Sequence, residues 1–129
     1  MLKPFLKWAG GKRQILPFII EKINDSKKNG NRDDFTFIEP FVGGGVVFLA
    51  LNNKKLIIND LNKELISAYR VIRNNPELLM QKLDDMFAEF KISEEEYYYQ
   101  IRNIDRLDAY KEISLVDMAA RMIFLNKTC

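Results

Sequence analysis

Three consecutive glycines, Gly43 to Gly45, stand between two apolar runs, and Asp60 closes the second run 17 positions after Gly43. Glycines between a strand and a helix let a ligand lie against bare backbone, and they permit positive φ where a side chain would clash. The start of the following helix offers unpaired N–H groups to an anionic group. An acid about 20 positions further on, at the tip of the next strand, can accept the hydroxyls of a ribose. A second cluster lies upstream, in Phe5-Leu6-Lys7-Trp8-Ala9-Gly10-Gly11-Lys12. An indole and a cation beside a glycine turn can clamp a flat or charged ligand. Taken singly, Trp8 reads better as a core ring and Lys12 as a solvated lysine.

The glycine pattern narrows the ligand. A dinucleotide fingerprint needs Gly-x-Gly-x-x-Gly or Ala. Gly43 and Gly45 fit, but Phe48 occupies the third position, where a ring prevents close helix–strand packing. A phosphate-binding loop needs Gly-x-x-x-x-Gly-Lys-Ser/Thr. Here Leu6 replaces the first glycine and Arg13 the hydroxyl residue. Both NAD and ATP or GTP are disfavoured. A ligand with one nucleoside and a short polar tail remains, and S-adenosylmethionine fits that description.

These residues need a scaffold. Phe35, Phe37, Ile38, Phe41 and Val42 suit a short strand. Val46 to Leu51 reads as a helix start, and Leu56 to Ile58 as a second strand. Strand, glycine turn, helix, strand, acid is the front half of a nucleotide-binding α/β unit. Upstream, Lys12 to Leu16 reads as the first turn of a helix continuing to about Asn24, bent or restarted by Pro17. Asp25 to Asp34 reads as a surface loop. Downstream, Leu61, Leu65, Tyr69 and Ile72 recur at helical spacing over about Asn62 to Arg73. Pro76 opens the next helix, with Leu79, Leu83, Met86, Phe87 and Phe90 on its buried face. Ser93 with Glu96 forms a capping box for a third, and Ser114 with Asp117 a weaker one for a fourth. The strand pattern is gone from Pro76 onward.

Composition excludes several chemistries. The 129 residues suffice for a domain with a real core. There is no histidine, and Cys129 is the single cysteine. Serine–histidine triads, cysteine–histidine pairs, internal disulfides and Cys- or His-based metal sites are therefore ruled out. No apolar run reaches membrane-span length and no signal-peptide pattern opens the chain, so the reading is a cytoplasmic, metal-independent protein. The net charge of +2 is uneven: residues 1–32 carry eight Lys/Arg against Glu21 and Asp25. A basic front end suggests a phosphate partner, with a solvated helix surface an equal reading.

Taken together the motifs resemble the N-terminal part of the Dam-type, α-class D12 family of adenine-specific DNA methyltransferases. Lys7-Trp8-Ala9-Gly10-Gly11-Lys12 resembles the family's motif X, Glu39-Pro40-Phe41-Val42-Gly43-Gly44-Gly45 its motif I, and Asn59-Asp60-Leu61-Asn62 its motif II. They stand in the family's order. The resemblance implies an α/β, Rossmann-like S-adenosylmethionine-dependent methyltransferase fold over residues 1–75, followed by the start of a helical target-recognition segment over 76–129. It implies that Trp8, Lys12, Phe41, Gly43, Gly45 and Asp60 bind S-adenosylmethionine, with Asp60 on the ribose. Lys7 would face duplex DNA. Phe124-Leu125-Asn126-Lys127 resembles the start of a DNA-engaging loop, which makes Asn126 and Lys127 DNA-binding candidates. Adenine would be flipped out of the duplex to reach the methyl donor.

One family element is missing. The catalytic Asp-Pro-Pro-Tyr, whose Asp and proline carbonyl accept hydrogen bonds from the adenine amine, has no counterpart among Pro4, Pro17, Pro40 and Pro76. The expectation is a cofactor-binding fragment with no catalytic residue of its own and no methyl transfer alone. An incomplete sheet would expose an edge, so self-association or a completing chain is expected. The alternatives are a non-catalytic S-adenosylmethionine- or nucleic-acid-binding module completed by a partner chain, and another nucleoside-binding α/β protein such as an RNA methyltransferase. Motif X argues against the last.

Overall fold

Pro17 decides where the first helix begins. A proline lacks the N–H that a helix interior requires, but is tolerated in the first turn. In the structure, a computed structural model that describes residues 2–30, 35–51 and 55–129, helix α1 is Leu16–Gly30. Lys12 to Ile15 form turns ahead of it, so the expected start at Lys12 is corrected. The helix also runs through Asp25 to Gly30, which the sequence reading assigned to a loop. Lys27 and Lys28 in its last turn complement the helix dipole there. The rest of that expected loop, residues 31–34, lies outside the described residues.

The chain packs as two units, residues 1–61 and 62–129. By packing, the helix after Asp60 therefore belongs with the residues that follow it. In the first unit, β1 is Thr36–Glu39 and β2 is Lys55–Ile58. They pair in parallel with Thr36 opposite Lys55 and Glu39 opposite Ile58. The first strand stops short of the expected Phe41 and Val42 because Pro40 has no N–H for the ladder. Beyond it, Asn59 N–H still donates to Glu39 O (2.8 Å) and Val42 N–H to Asn59 O (2.9 Å). These bonds tie the two strand ends together. The crossover carries α2, Val46–Ala50. Parallel sheets are normally covered on both faces, yet Ile38 and Ile57 are more than half exposed.

The second unit is helical: α3 (Lys63–Asn74), α4 (Pro76–Ile92), α5 (Glu94–Asn103), two 3-10 turns (Ile104–Arg106 and Asp108–Glu112) and α6 (Leu115–Thr128). Its core centres on α6, where Ala119, Ala120 and Phe124 are fully buried. The Phe124 ring meets Phe87, Phe90 and Tyr97 at centroid distances of 5.3, 5.4 and 5.7 Å. Leu65, Ala68, Tyr69 and Val71 are the buried apolar residues of α3. Leu61 is 90% exposed because it precedes the N-cap, Asn62, whose side chain accepts from Leu65 N–H. The two capping boxes reverse their expected strengths. Ser114 Oγ accepts from Asp117 N–H (3.0 Å) and donates to Asp117 Oδ2 (2.7 Å), whereas Ser93 precedes α5 without a side-chain cap.

Candidate functional site

A buried carboxylate in an apolar strand needs a partner, and Glu39 is such a residue, only 5% exposed at the end of β1. Its Oε1 accepts from Lys12 Nζ at 3.1 Å. Lys12 Nζ also donates to Phe41 O. One ammonium thus joins the loop of residues 8–12 to the turn that leaves β1. Burial pushes the Glu39 carboxyl above the usual glutamate range; the Lys12 hydrogen bond and charge, and the Phe48 N–H at the start of α2, pull against that without cancelling it. The helix end that the glycine pattern offered to an anionic ligand thus already has a carboxylate of the chain beside it. Glu39 Oε2 is buried and makes no hydrogen bond.

The glycine turn follows. Gly43 takes φ 50° and Gly45 φ 79°, and Gly45 is the N-cap of α2. At Gly43 the bare backbone has a second use. A Cβ there would stand 2.9 Å from Trp8 Cδ1 and 3.3 Å from its Nε1, so the indole seats on the peptide where a side chain would be. Asp60 is fastened to the same turn, its Oδ2 accepting from Gly43 N–H at 3.0 Å. The expected pairing of glycine turn and acid is therefore a physical contact.

These groups surround a cavity of about 240 Å³, lined by Trp8, Gly10, Lys12, Phe41, Gly43 and Asp60 among others. Of the six residues expected around a nucleoside ligand, five line it. Gly45 does not: it is buried behind the turn. Lys7 is exposed and outside the lining. Asn126 and Lys127 lie in the second unit, near the end of α6, half-buried and exposed respectively. A larger groove of about 530 Å³ runs between α1 and β1, lined by Phe18, Ile19, Ile23, Phe35 and Phe37 with Lys22 and Lys27. Those ammoniums lie 5.4 and 4.6 Å from the centroids of Phe18 and Phe35. It lacks the convergent polar groups that orient a small ligand.

Two residues carry more than the sequence reading gave them. Glu39 stood in the quoted motif without a role; an acid within Phe-Ile-Glu-Pro was the available signal. Arg121 sits in the apolar run Ala119 to Phe124 and is 5% exposed. Its guanidinium donates to Glu64 Oε1 and Oε2 (3.1 and 3.2 Å), Ile101 O (3.0 Å) and Arg102 O (2.8 Å). It also pairs with Asp105 at 3.1 Å. Tyr110 donates its phenol proton to Glu64. Burial and that carboxylate push the phenol up to about 12. Among the described residues there is no group of three or more His, Cys, Asp or Glu that could hold a metal, and no helix is long and apolar enough to cross a membrane.

Comparison with known proteins agrees with the motif order. Residues 8–129 match the family described as D12 class N6 adenine-specific DNA methyltransferase. The chain is 42% identical to the type II methyltransferase M.MjaIII of Methanocaldococcus jannaschii, over 99% of this chain and 46% of that protein. It is 41% identical to the type II methyltransferase M1.LlaDCHI of Lactococcus lactis subsp. cremoris, over 96% of this chain and 40% of that protein. Against the DNA adenine methylase of Haemophilus influenzae the identity is 36%, over 78% and 32%. The chain thus spans less than half the length of these relatives.

Proposed function

Because the chain belongs to the D12 class N6 adenine-specific DNA methyltransferase family, we propose that it is the cofactor-binding part of a site-specific DNA adenine methyltransferase. The reaction moves a methyl group from the sulfonium of S-adenosylmethionine to the exocyclic amine of adenine in duplex DNA, and the amine loses a proton. The first unit, on this reading, is the front of a Rossmann-like fold. Trp8, Lys12, Phe41, Gly43, Gly45 and Asp60 form the cofactor site, with the Asp60 carboxylate on the ribose. The observation that carries this is the Asp60–Gly43 hydrogen bond beneath the Trp8 ring. It holds an acid at the mouth of a glycine-floored cavity, where a nucleoside can be gripped by its sugar. The cavity is below the roughly 300 Å³ at which pockets enclose a whole small ligand, so it holds one end of the cofactor. On the same reading Lys7, Asn126 and Lys127 contact DNA phosphates or bases, and the proposed location is the cytoplasm.

The 129 residues contain no Asp-Pro-Pro-Tyr, so the amine has no acceptor from this chain, and no methyl transfer is expected from it alone. A second reading, a binding module completed by a partner chain or a second copy, draws support from Ile38 and Ile57, 61% and 53% exposed on a two-stranded parallel sheet. Calorimetric titration of S-adenosylmethionine tests the cofactor site. Saturable binding by the wild type, lost in Asp60→Ala, is expected. Binding unaffected by that substitution sinks the assignment of Asp60. A radiolabelled transfer assay on adenine-containing duplex tests the rest, and turnover by the purified chain refutes the expected inactivity.

A further inference from the structure

We infer that Glu39 is a specificity-determining residue: its carboxylate offsets the Lys12 charge at the cavity wall, so the site takes a nucleoside with a neutral or zwitterionic tail and rejects one with a phosphate. This rests on the cofactor reading above and adds to it what keeps nucleotides out. Lys12 is the cation among the residues that line the cavity. Its Nζ donates to Glu39 Oε1 at 3.1 Å and to Phe41 O. An ammonium has three N–H donors, so one remains for a ligand. What Glu39 changes is the charge behind that donor. With the carboxylate in place the ion pair has no net charge; without it the cavity wall is cationic. A phosphate that accepted from the third donor would be drawn by the ammonium and repelled by the carboxylate just behind it.

The carboxylate is held in place. The Glu39 side chain is 6% exposed, against 33% for Lys12, and its backbone is tied to the second strand through Asn59 N–H and Glu39 O (2.8 Å). The Phe48 N–H of α2 faces the same carboxylate. A phosphate-binding loop aims a lysine and a helix start at its ligand. Here both are turned toward an acid of the chain itself. An amino-acid tail escapes this penalty, because its own ammonium offsets its carboxylate. The discrimination thus comes from a repulsive element beside an attractive one, a common route to specificity.

Two readouts test this, and the first needs no ligand. Trp8, the chain's single tryptophan, lines the cavity. Quenching of its emission by iodide reports access for an anion, and quenching by neutral acrylamide reports opening of the loop. Glu39→Gln, which keeps the shape and an acceptor for Lys12, should raise iodide quenching about twofold and leave acrylamide quenching unchanged. Adding Lys12→Met should cancel the rise. Unchanged iodide quenching, or equal rises with both quenchers, overturns the inference. The second readout is calorimetric titration with 5′-methylthioadenosine, S-adenosylhomocysteine and adenosine 5′-monophosphate. The wild type should bind the monophosphate more weakly than the uncharged thioether nucleoside, and in Glu39→Gln the monophosphate should gain about tenfold relative to it. A monophosphate that binds the wild type as tightly as the thioether nucleoside, or that gains nothing in the variant, overturns the inference and leaves the cofactor reading standing. If the wild type binds none of the three, the cofactor reading fails, and the two quenchers still decide whether Glu39 excludes anions.

Discussion

Replacing Gly43 by alanine puts a methyl group where the Trp8 ring now lies. The new Cβ would stand 2.9 Å from Cδ1 at a residue with φ +50°. Two costs add. A left-handed backbone conformation disfavours alanine by about 1–2 kcal/mol, and overpacking against a seated ring costs about 1–3 kcal/mol. The stiffer unfolded chain returns about 0.4–1 kcal/mol. The net expectation is a loss of roughly 1–4.5 kcal/mol. Gly10 supplies the control, because it takes φ +71° with nothing within 4 Å of a built Cβ. Gly10→Ala therefore meets the backbone cost alone, about 1 kcal/mol after the same offset. Urea unfolding followed by Trp8 emission reads both variants at the site itself. The midpoint for Gly43→Ala should fall well below that for Gly10→Ala, and its native emission should shift. Equal midpoints with unshifted emission would refute the seating of Trp8 on Gly43.

Arg121→Met should cost the second unit about 1–3 kcal/mol, because it leaves the buried Ile101 carbonyl without its donor and Glu64 with the Tyr110 hydroxyl in place of the guanidinium; urea unfolding followed by circular dichroism measures it, and a loss under about 0.5 kcal/mol contradicts the network. Phe124→Ala, at 0% exposure among three rings, should cost about 3–5 kcal/mol, while Phe18→Ala, at 60% exposure, should stay within about 0.5 kcal/mol. Ultraviolet titration should find a tyrosine step near 12 that Tyr110→Phe reduces, with Tyr97, also raised by its burial, remaining in the variant. Since the folded value lies above the ordinary one near 10, the Tyr110 contribution to stability is fully present below pH 10 and fades as pH rises through about 12. The wild type should therefore lose more stability than Tyr110→Phe over that alkaline range; equal losses exclude Tyr110 as the cause.

The α/β order around Gly43 was legible because each part has its own local signal: β-formers, a glycine run, and an acid closing the second strand. Helix starts were legible where a proline or a capping side chain acts locally, as at Pro76 and Ser114. What failed to show depends on tertiary partners. Whether Lys12 belongs to a helix depends on the distant Glu39 and Phe41 O that hold it in a turn. Asp25 to Gly30 looked like a loop because polar residues on a solvated helix face carry the same composition as one. Ser93 and Glu96 satisfy the spacing of a capping box, but spacing cannot say which hydroxyl rotamer the packing allows. Arg121 in an apolar run marks a buried charge, yet its partners come from α3, the end of α5 and both 3-10 turns, which no local pattern joins. At the candidate site, the tie between Asp60 and the glycine turn was anticipated as proximity, and its hydrogen bond came only with the fold.

Among the described helices of the second unit α6 comes latest in chain order, and it holds Ala119, Ala120 and Phe124, around which the others pack. During synthesis, α3, α4 and α5 leave the ribosome before Ala119, Ala120 and Phe124 exist to cover them. Their apolar faces, with Leu65, Ala68, Leu79 and Met86, then stand open to solvent until α6 emerges. Glu64 and Asp105 wait over the same interval for the guanidinium that will neutralise them. Nascent chains halted before Arg121 should therefore be held by chaperones and cut by proteases more readily than chains that have released all of α6. Protection of these four apolar residues would thus rise in a step as one helix emerges, and not in proportion to chain length.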